Sequence, residues 1–575
     1  MRRRLVIIAV AGAIALPVAG ALAQAEAERR VDRAIEFLRQ SIGPDARIAW
    51  GLRQVDPVTG RTRLGDVTVT SGNRRVTVAE VLITDVSDTR LGRAEMRSLL
   101  MTEGKGERSE VARLVLGGIP IPATGAVDFT RFEIGTLEAE AVSMRGPEGN
   151  LQLGRLVAEG YAPGALGQAT AEGFEFRGAG ATSNHARIGR FAVAGVTMPA
   201  PGQDFDIKDV TVRSASLEGA TLTDPEKKVD LALGRLAMRD WAPGRLLDLA
   251  VEGVSLGAEF GAMGPGVFRL GRFVVQGIDA AGLATAWSTN VQPPDPAPGV
   301  PQLILAEGIT AEANGAPLLS LGRIQTDGSM AADGVISGTL AVDGLRITLP
   351  RGTSAPLEQL GYTEIAGGME MLGSFARQGG MLAIGPWRTT WNEAATLTLS
   401  GRFLEMPAPA PGTPIDPDAQ TAALLAARLQ QLTLSWRDQG LLGRAIAMQA
   451  RQQRVPEARI REQWAQMVMG MPIPGAGPSA PPRGRAAPPA PATKGAATPA
   501  PATGKGAAPA PAAPAAGQPD PFMPLREALA QFIRQPREIE ISLRPLTPIA
   551  FGELTGLAGQ SAEAARLLGL TVRLP

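Results

Sequence analysis

The chain has 575 residues, 44% of them hydrophobic and 4% aromatic, with 57 basic residues against 56 acidic ones. That balance gives no electrostatic footprint for a nucleic-acid partner. The absence of cysteine excludes disulfides, a lipidated-cysteine anchor and thiolate metal sites.

The first residues, "MRRRLVIIAVAGAIALPVAGALAQAEA", place three arginines before an apolar run that ends in Ala21-Leu22-Ala23. Residues 1–23 therefore read as a secretory signal peptide, with cleavage expected before Gln24. The alternative is an uncleaved anchor that keeps the N-terminus at the inner membrane and the rest facing the periplasm, since about 19 apolar residues just span a bilayer. Pro17, close to the Ala-x-Ala site, favours cleavage, which removes three arginines and leaves 54 basic residues against 56 acidic. The expected location is periplasmic or secreted. Residues 24–44 are expected to form a helix, because Val31, Ala34, Ile35 and Leu38 fall on one stripe.

Residues 45–405 carry a repeat. "LGRLVAEG" from Leu153, "IGRFAVAG" from Ile188, "LGRLAMRD" from Leu233, "LGRFVVQG" from Leu270 and "LGRIQTDG" from Leu321 are near-copies at irregular spacing. Related Leu/Ile-Gly pairs occur at Gly65, Gly92 and Gly135, beside Gly154, Gly189, Gly234, Gly271 and Gly322. On each side of the glycine, apolar residues alternate as in a half-buried strand. Across Gly-Arg the apolar step is three, as in Leu233 to Leu236 and Leu270 to Phe273. In a plain strand this step would turn later side chains to the wrong face. A β-bulge at the glycine, with positive φ, restores the face; a tight turn between two strands is the rival reading. The arginine that follows is expected to point to water or along the edge. "GRTRLGDVTVTSGNRRVTVAEVLI" reads as a hairpin around Ser71-Gly72-Asn73. "GVISGTLAVDGLRITLP" from Gly334 reads as two short strands, and "ATLTLSGRFLEM" from Ala395 as one.

Residues 406–471 contain the strand "LQQLTLSW" and two helices, the second beginning near Pro456. Residues 472–519 are almost all Pro, Ala and Gly, a composition expected to be disordered. A linker, a peptidoglycan-threading spacer and an insertion are the alternatives, the insertion being preferred. Residues 520–575 read as a helix from about Pro524 to Arg534, the strand "EIEISLRP", a helix from about Glu553 to Leu568 and a final strand, together too small for an independent core. They are expected to pack back on the main body. The fold class is therefore mainly β with terminal helices (α+β): an elongated, curved, mostly antiparallel sheet of irregular repeats with glycine bulges at the LGR motifs.

No catalytic, cofactor or metal residues emerge. Gly253-Val254-Ser255-Leu256-Gly257 matches a G-x-S-x-G elbow, but His185, the one histidine, precedes it, and the flanking residues read as strand and turn. His185 has no His or Cys companion for a metal, and no calcium, phosphate or dinucleotide loop is present. Scarce aromatics leave no girdles for an outer-membrane barrel. A hydrolase acting on cell wall through paired carboxylates stays as an alternative, because spatial pairing is invisible in sequence. A partner-binding role for the Pro/Ala-rich arm is another.

The segments "ERRVDRAIEFL", "DPVTGRTRLGDVTV", the LGR units, "LTLSWRDQGLLGRAIAMQA" and "IRQPREIEISLRPLTPIAFGEL" together resemble, in outline, uncharacterised proteobacterial envelope proteins of the YdgA-like and AsmA-like kind. The resemblance implies a periplasmic, non-enzymatic protein with a long sheet and a lipid-accommodating groove. AsmA-like relatives are associated with lipid traffic and outer-membrane integrity. The cleavable leader and the 472–519 insert depart from that pattern. The expected binding surface is a shared apolar face of Leu156, Phe191, Leu236, Phe273 and Ile324, with phospholipid or another envelope component as partner. A face covered by the protein's own strands and helices is the competing outcome.

Overall fold

The computed structural model describes residues 45–575 apart from 57–60, 87–88, 105, 121–132, 181–182, 200–208, 260, 262–263, 350–351, 353, 471–521 and 557–560. The expected signal peptide, N-terminal helix and Pro/Ala-rich insert lie outside the described residues. The protein is mainly β.

The chain divides into two compact units. The first runs to Gln378 and adds Ile384–Asn392 and Ala408–Gln420; the second comprises Gly379–Ala383, Glu393–Pro407 and Thr421–Pro575. The single β array expected over 45–405 therefore crosses a unit boundary, which no change in local composition announces.

In the first unit the strands are β1 (Arg47–Ala49), β2 (Leu52–Val55), β3 (Thr62–Ser71), β4 (Arg74–Val86), β5 (Arg90–Glu103), β6 (Glu107–Pro120), β7 (Ile134–Gly146), β8 (Gly149–Ala162) and β9 (Ala165–Gly178). They continue as β10 (His185–Thr197), β11 (Thr211–Asp224), β12 (Val229–Trp241), β13 (Leu247–Glu259), β14 (Pro265–Ile278), β15 (Gln302–Ala313), β16 (Ala316–Met330), β17 (Val335–Thr348) and β18 (Glu364–Ala376). From β3 to β18 each strand pairs antiparallel with the next, a simple meander; β1 and β2 both pair with β3. A two-residue turn with Gly72 at φ +58° joins β3 to β4, where the hairpin was expected. Two helices interrupt the meander, α1 (Ala280–Ser288), capped by Asp279 on the Gly282 amide, and α2 (Ala355–Gln359). "GVISGTLAVDGLRITLP" forms one strand, β17, rather than two.

The unit's core sits on β3 to β7. Leu64 and Val67, Val78 and Val81, and Met96 and Leu99 are pairs three residues apart, and all six belong to one buried cluster. A step of three therefore keeps one face in these strands. The step coincides with a line of left-handed residues, one in each odd-numbered strand from β3 to β17: Asp66, Ser98, Ala141, Gly173, Gly219, Gly253, Gly308 and Gly344, with φ between +48° and +68°; even-numbered β4 follows the kink of its partner at Asp66.

This corrects the expected bulge. None of Gly65, Gly92, Gly135, Gly154, Gly189, Gly234, Gly271 or Gly322 has positive φ. The glycine of each later LGR unit faces a left-handed residue on the neighbouring strand. Thus Gly271 faces Gly253 between the pairs Leu270↔Val254 and Arg272↔Glu252, and the register is the same on both sides. Glycine at 271 permits close approach: a Cβ there would lie 3.1 Å from the Glu307 carbonyl oxygen and 3.6 Å from Gly308 Cα, so the neighbouring strand would have to shift by a few tenths of an ångström. A second left-handed line crosses the even strands at Asp85, Gly118, Gly160, Gly195, Asp240 and Gly277. It explains the last letter of four of the eight-residue copies, at Gly160, Gly195, Asp240 and Gly277 but not at Gly328, and why aspartate, which tolerates this region, replaces glycine at 240.

The second unit contains β20 (Ala395–Leu404), β21 (Arg428–Asp438), β22 (Glu538–Leu543), β23 (Ile549–Ala550) and β24 (Leu570–Arg573); β19 (Met381–Trp391) and helix α3 (Pro417–Ala426) are divided between the units. β20, β21, β22 and β24 pair antiparallel in that order, with β23 also on β21. Its helices are α4 (Leu441–Gln453), α5 (Glu457–Gly470) and α6 (Met523–Arg534), then α7 (Phe551–Gly556) and α8 (Ser561–Leu567) where one helix was expected. Asp438 starts α4 by accepting the amides of Gly440 and Leu442. Ile446 and Ala450 of α4 pack on Ile460 of α5. Arg534 at the end of α6 donates twice to Glu462 of α5, at 2.9 and 2.8 Å.

Candidate functional site

Strand register assembles the candidate face. Leu156 pairs with Ala171, Ala171 with Phe191, Phe191 with Leu217 and Leu217 with Leu236. The row continues through Val251, Phe273, Ala306, Ile324 and Val342 to Met369. All five residues named from the sequence thus lie in one row across β8 to β18, about 50 Å long at the usual spacing of paired strands. In the other direction the row runs into the buried core through Ala139, Leu114, Met96, Val81 and Leu64.

Burial changes along this row. Val81 and Met96 are fully buried, whereas Phe191 is 39% exposed and Leu236, Phe273 and Ile324 are half-buried. A second apolar row across the kink behaves alike: Leu222, Leu231, Leu256 and Phe268 are paired in succession, and the first two are exposed. Leu156 packs against the core cluster and marks the junction. The face is therefore closed over β3 to β7 and half-open over β8 to β18.

The opposite parity carries charge, which the LGR pattern alone missed. The arginine of each LGR unit pairs with the acid of an acid-Gly dipeptide on the next strand. Arg155, Glu172, Arg190, Glu218, Arg235 and Glu252 follow one another across β8 to β13, then Arg272, Glu307, Arg323 and Asp343 across β14 to β17. Arg323 donates to Asp343 at 2.9 Å. These arginines are exposed, as expected, and they are matched in register to an acid on the neighbouring strand. Glu-Gly at 172, 218, 252 and 307, and Asp-Gly at 343, were the available signal. Each exposed pair contributes about 0–1 kcal/mol; cross-strand charge matching favours the native register.

Toward the core the row continues from Arg155 through Glu140, Arg113 and Arg97 to Glu80, with one exception to the alternation of sign. Arg97 opposes Arg113, and Glu95, 9% exposed, accepts hydrogen bonds from both, at 3.0 and 3.1 Å. Hydrogen bonds from Arg113 first, then Arg97, hold its pKa down to about 2 against the cost of burial.

The residues considered for chemistry do not converge. Ser255 lies mid-strand in β13, opposite Ala232 and Arg269, and not on a strand-to-helix turn. His185 begins β10, three strands away, with its Nε2 3.0 Å from Glu175. Arg177 first, then His185, lowers the Glu175 pKa. Among the described residues no group of three His, Cys, Asp or Glu side chains could hold a metal, and no helix is long and apolar enough to cross a membrane.

A family described as "Uncharacterized protein" matches residues 388–482 and 495–574. The matched ranges contain all of β20, β21 and β22 with helices α4 to α6, and they resume beyond a gap inside the Pro/Ala-rich insert. No curated protein matches the chain.

Proposed function

We propose that this is an exported, non-enzymatic envelope protein whose half-open face over β8 to β18 accommodates the acyl chains of lipids. The observation that carries this reading is the in-register apolar row, buried at one end and half-exposed for about 50 Å beyond it. Soluble proteins rarely expose continuous apolar surface without an occupant. Aliphatic chains suit a surface whose lining offers hydrocarbon in two parallel rows and keeps its ionic groups on the opposite parity. The signal-like residues 1–23 support delivery to the periplasm, and an intact N-terminus on the purified protein would instead support a tether.

The test is mass spectrometry of organic extracts from the full-length protein purified without detergent from the envelope fraction. Phospholipid is expected with the wild type, reduced several-fold in Phe273→Asp and Leu236→Asp. Lipid-free wild type, or equal recovery from all three, rejects the reading.

A further inference from the structure

A different site lies in the second unit. We propose that this unit binds one aliphatic chain in a half-open groove of about 500 Å³ lined by β21, β22, α4 and α6. The pairs Leu434↔Ile541 and Trp436↔Ile539 form its floor, with alternate residues of each strand on the same side. Leu442 and Ala445, one turn apart on α4, line one wall, and α6 supplies the other.

Three physical points select the occupant. The lining is hydrocarbon apart from the Trp436 indole, so ordered water would find at most one hydrogen-bonding group there. An open apolar groove keeps hydrocarbon against water, and covering it with an aliphatic chain is favourable in proportion to the area removed from water. The neighbouring face of α4 is well packed, with Ile446 fully buried against α5, so the space is not a symptom of loose structure throughout. Its volume falls in the range of about 300–1,000 Å³ typical of ligand sites. With no charged side chain in the lining, recognition falls on the hydrocarbon and not on a headgroup. Trp436 is 40% exposed, so the groove opens beside its ring and the polar end of the ligand stays in water. A free fatty acid and a phospholipid acyl chain share this chemistry. The site is independent of the face proposed in the first unit.

The test uses delipidated full-length protein and dibromostearic acid, which quenches nearby tryptophan. Saturable quenching is expected, lost in Trp436→Phe, and about tenfold weaker in Ala445→Phe, which fills the space. Ala445→Phe is also expected to melt higher than the wild type without ligand. Phe273→Ser should leave the quenching unchanged. Undiminished quenching in Trp436→Phe or Ala445→Phe, or its loss in Phe273→Ser, overturns the proposal; the last outcome points to the first unit's face instead. Hydrogen exchange on the wild type guards against a misfolded variant: stearic acid or phosphatidylcholine vesicles should slow exchange over 441–445 and 529–533, and exchange unchanged by both rejects the site. Protection by stearic acid alone identifies a free fatty acid as sufficient; protection only by phosphatidylcholine vesicles assigns the chain to a membrane lipid.

Discussion

Arg97 is paired directly with Arg113 across β5 and β6, like charge against like charge, and Glu95 bridges the two guanidinium groups. Because the folded-state pKa of Glu95 is about 2, below its ordinary 4.5, its contribution is fully present above pH 4.5 and is lost as pH falls through about 2. Glu95→Gln should destabilise the first unit by about 1–3 kcal/mol at neutral pH. Its melting temperature should also depend less on pH between 4.5 and 2 than that of the wild type, as followed by circular dichroism.

Gly277→Val should be more damaging than Gly271→Val, by at least about 1 kcal/mol, the reverse of what positive φ at Gly271 would give. Gly277 sits at φ +70°, and a Cβ there would lie 2.1 Å from the Pro301 carbonyl oxygen. At Gly271 the corresponding contact is 3.1 Å with no left-handed backbone. Thermal melts of the two variants decide the order.

The closed and half-open parts of the same face should respond differently to truncation. Ile83→Ala, at a fully buried site, should cost about 2–5 kcal/mol. Phe191→Ser, at a site 39% exposed, should change stability much less in lipid-free protein. Equal losses in urea titrations would mean that the outer strands have a cover that the described residues lack.

Two adjacent strands should be removable together. Deleting residues 179–224 joins β9 to the turn before β12, setting Gly178 opposite Val229 in place of Asp224. It also sets Glu172 opposite Arg235, Ala171 opposite Leu236 and Gly173 opposite Gly234. The shortened chain should fold with a cooperative melt; an aggregated or unstructured product would show that the repeat unit is larger than two strands.

The sequence made the apolar steps legible because side-chain parity is local: Leu270 and Phe273 announce a step of three without any knowledge of neighbours. Which backbone turns left-handed was not local. Gly271 carries the conspicuous motif, while the conformational burden falls on Gly253 and Gly308, one strand away on either side. The charge row was hidden for the same reason, since Arg272 means little until Glu252 and Glu307 are beside it. In the second unit the groove floor joins Leu434 to Ile541 across the Pro/Ala-rich stretch, a pairing no periodicity could foresee. The unit boundary likewise depends on which strands share contacts.

The uninterrupted run of kinks has a consequence for growth. Each pair of strands adds one arginine, one acid and about 10 Å of hydrocarbon-compatible surface, by the spacing of neighbouring strands. Tandem duplication of such a pair leaves every existing contact in place, so the reach of the molecule is quantised, and lineages could lengthen or shorten it in whole steps without redesigning either end.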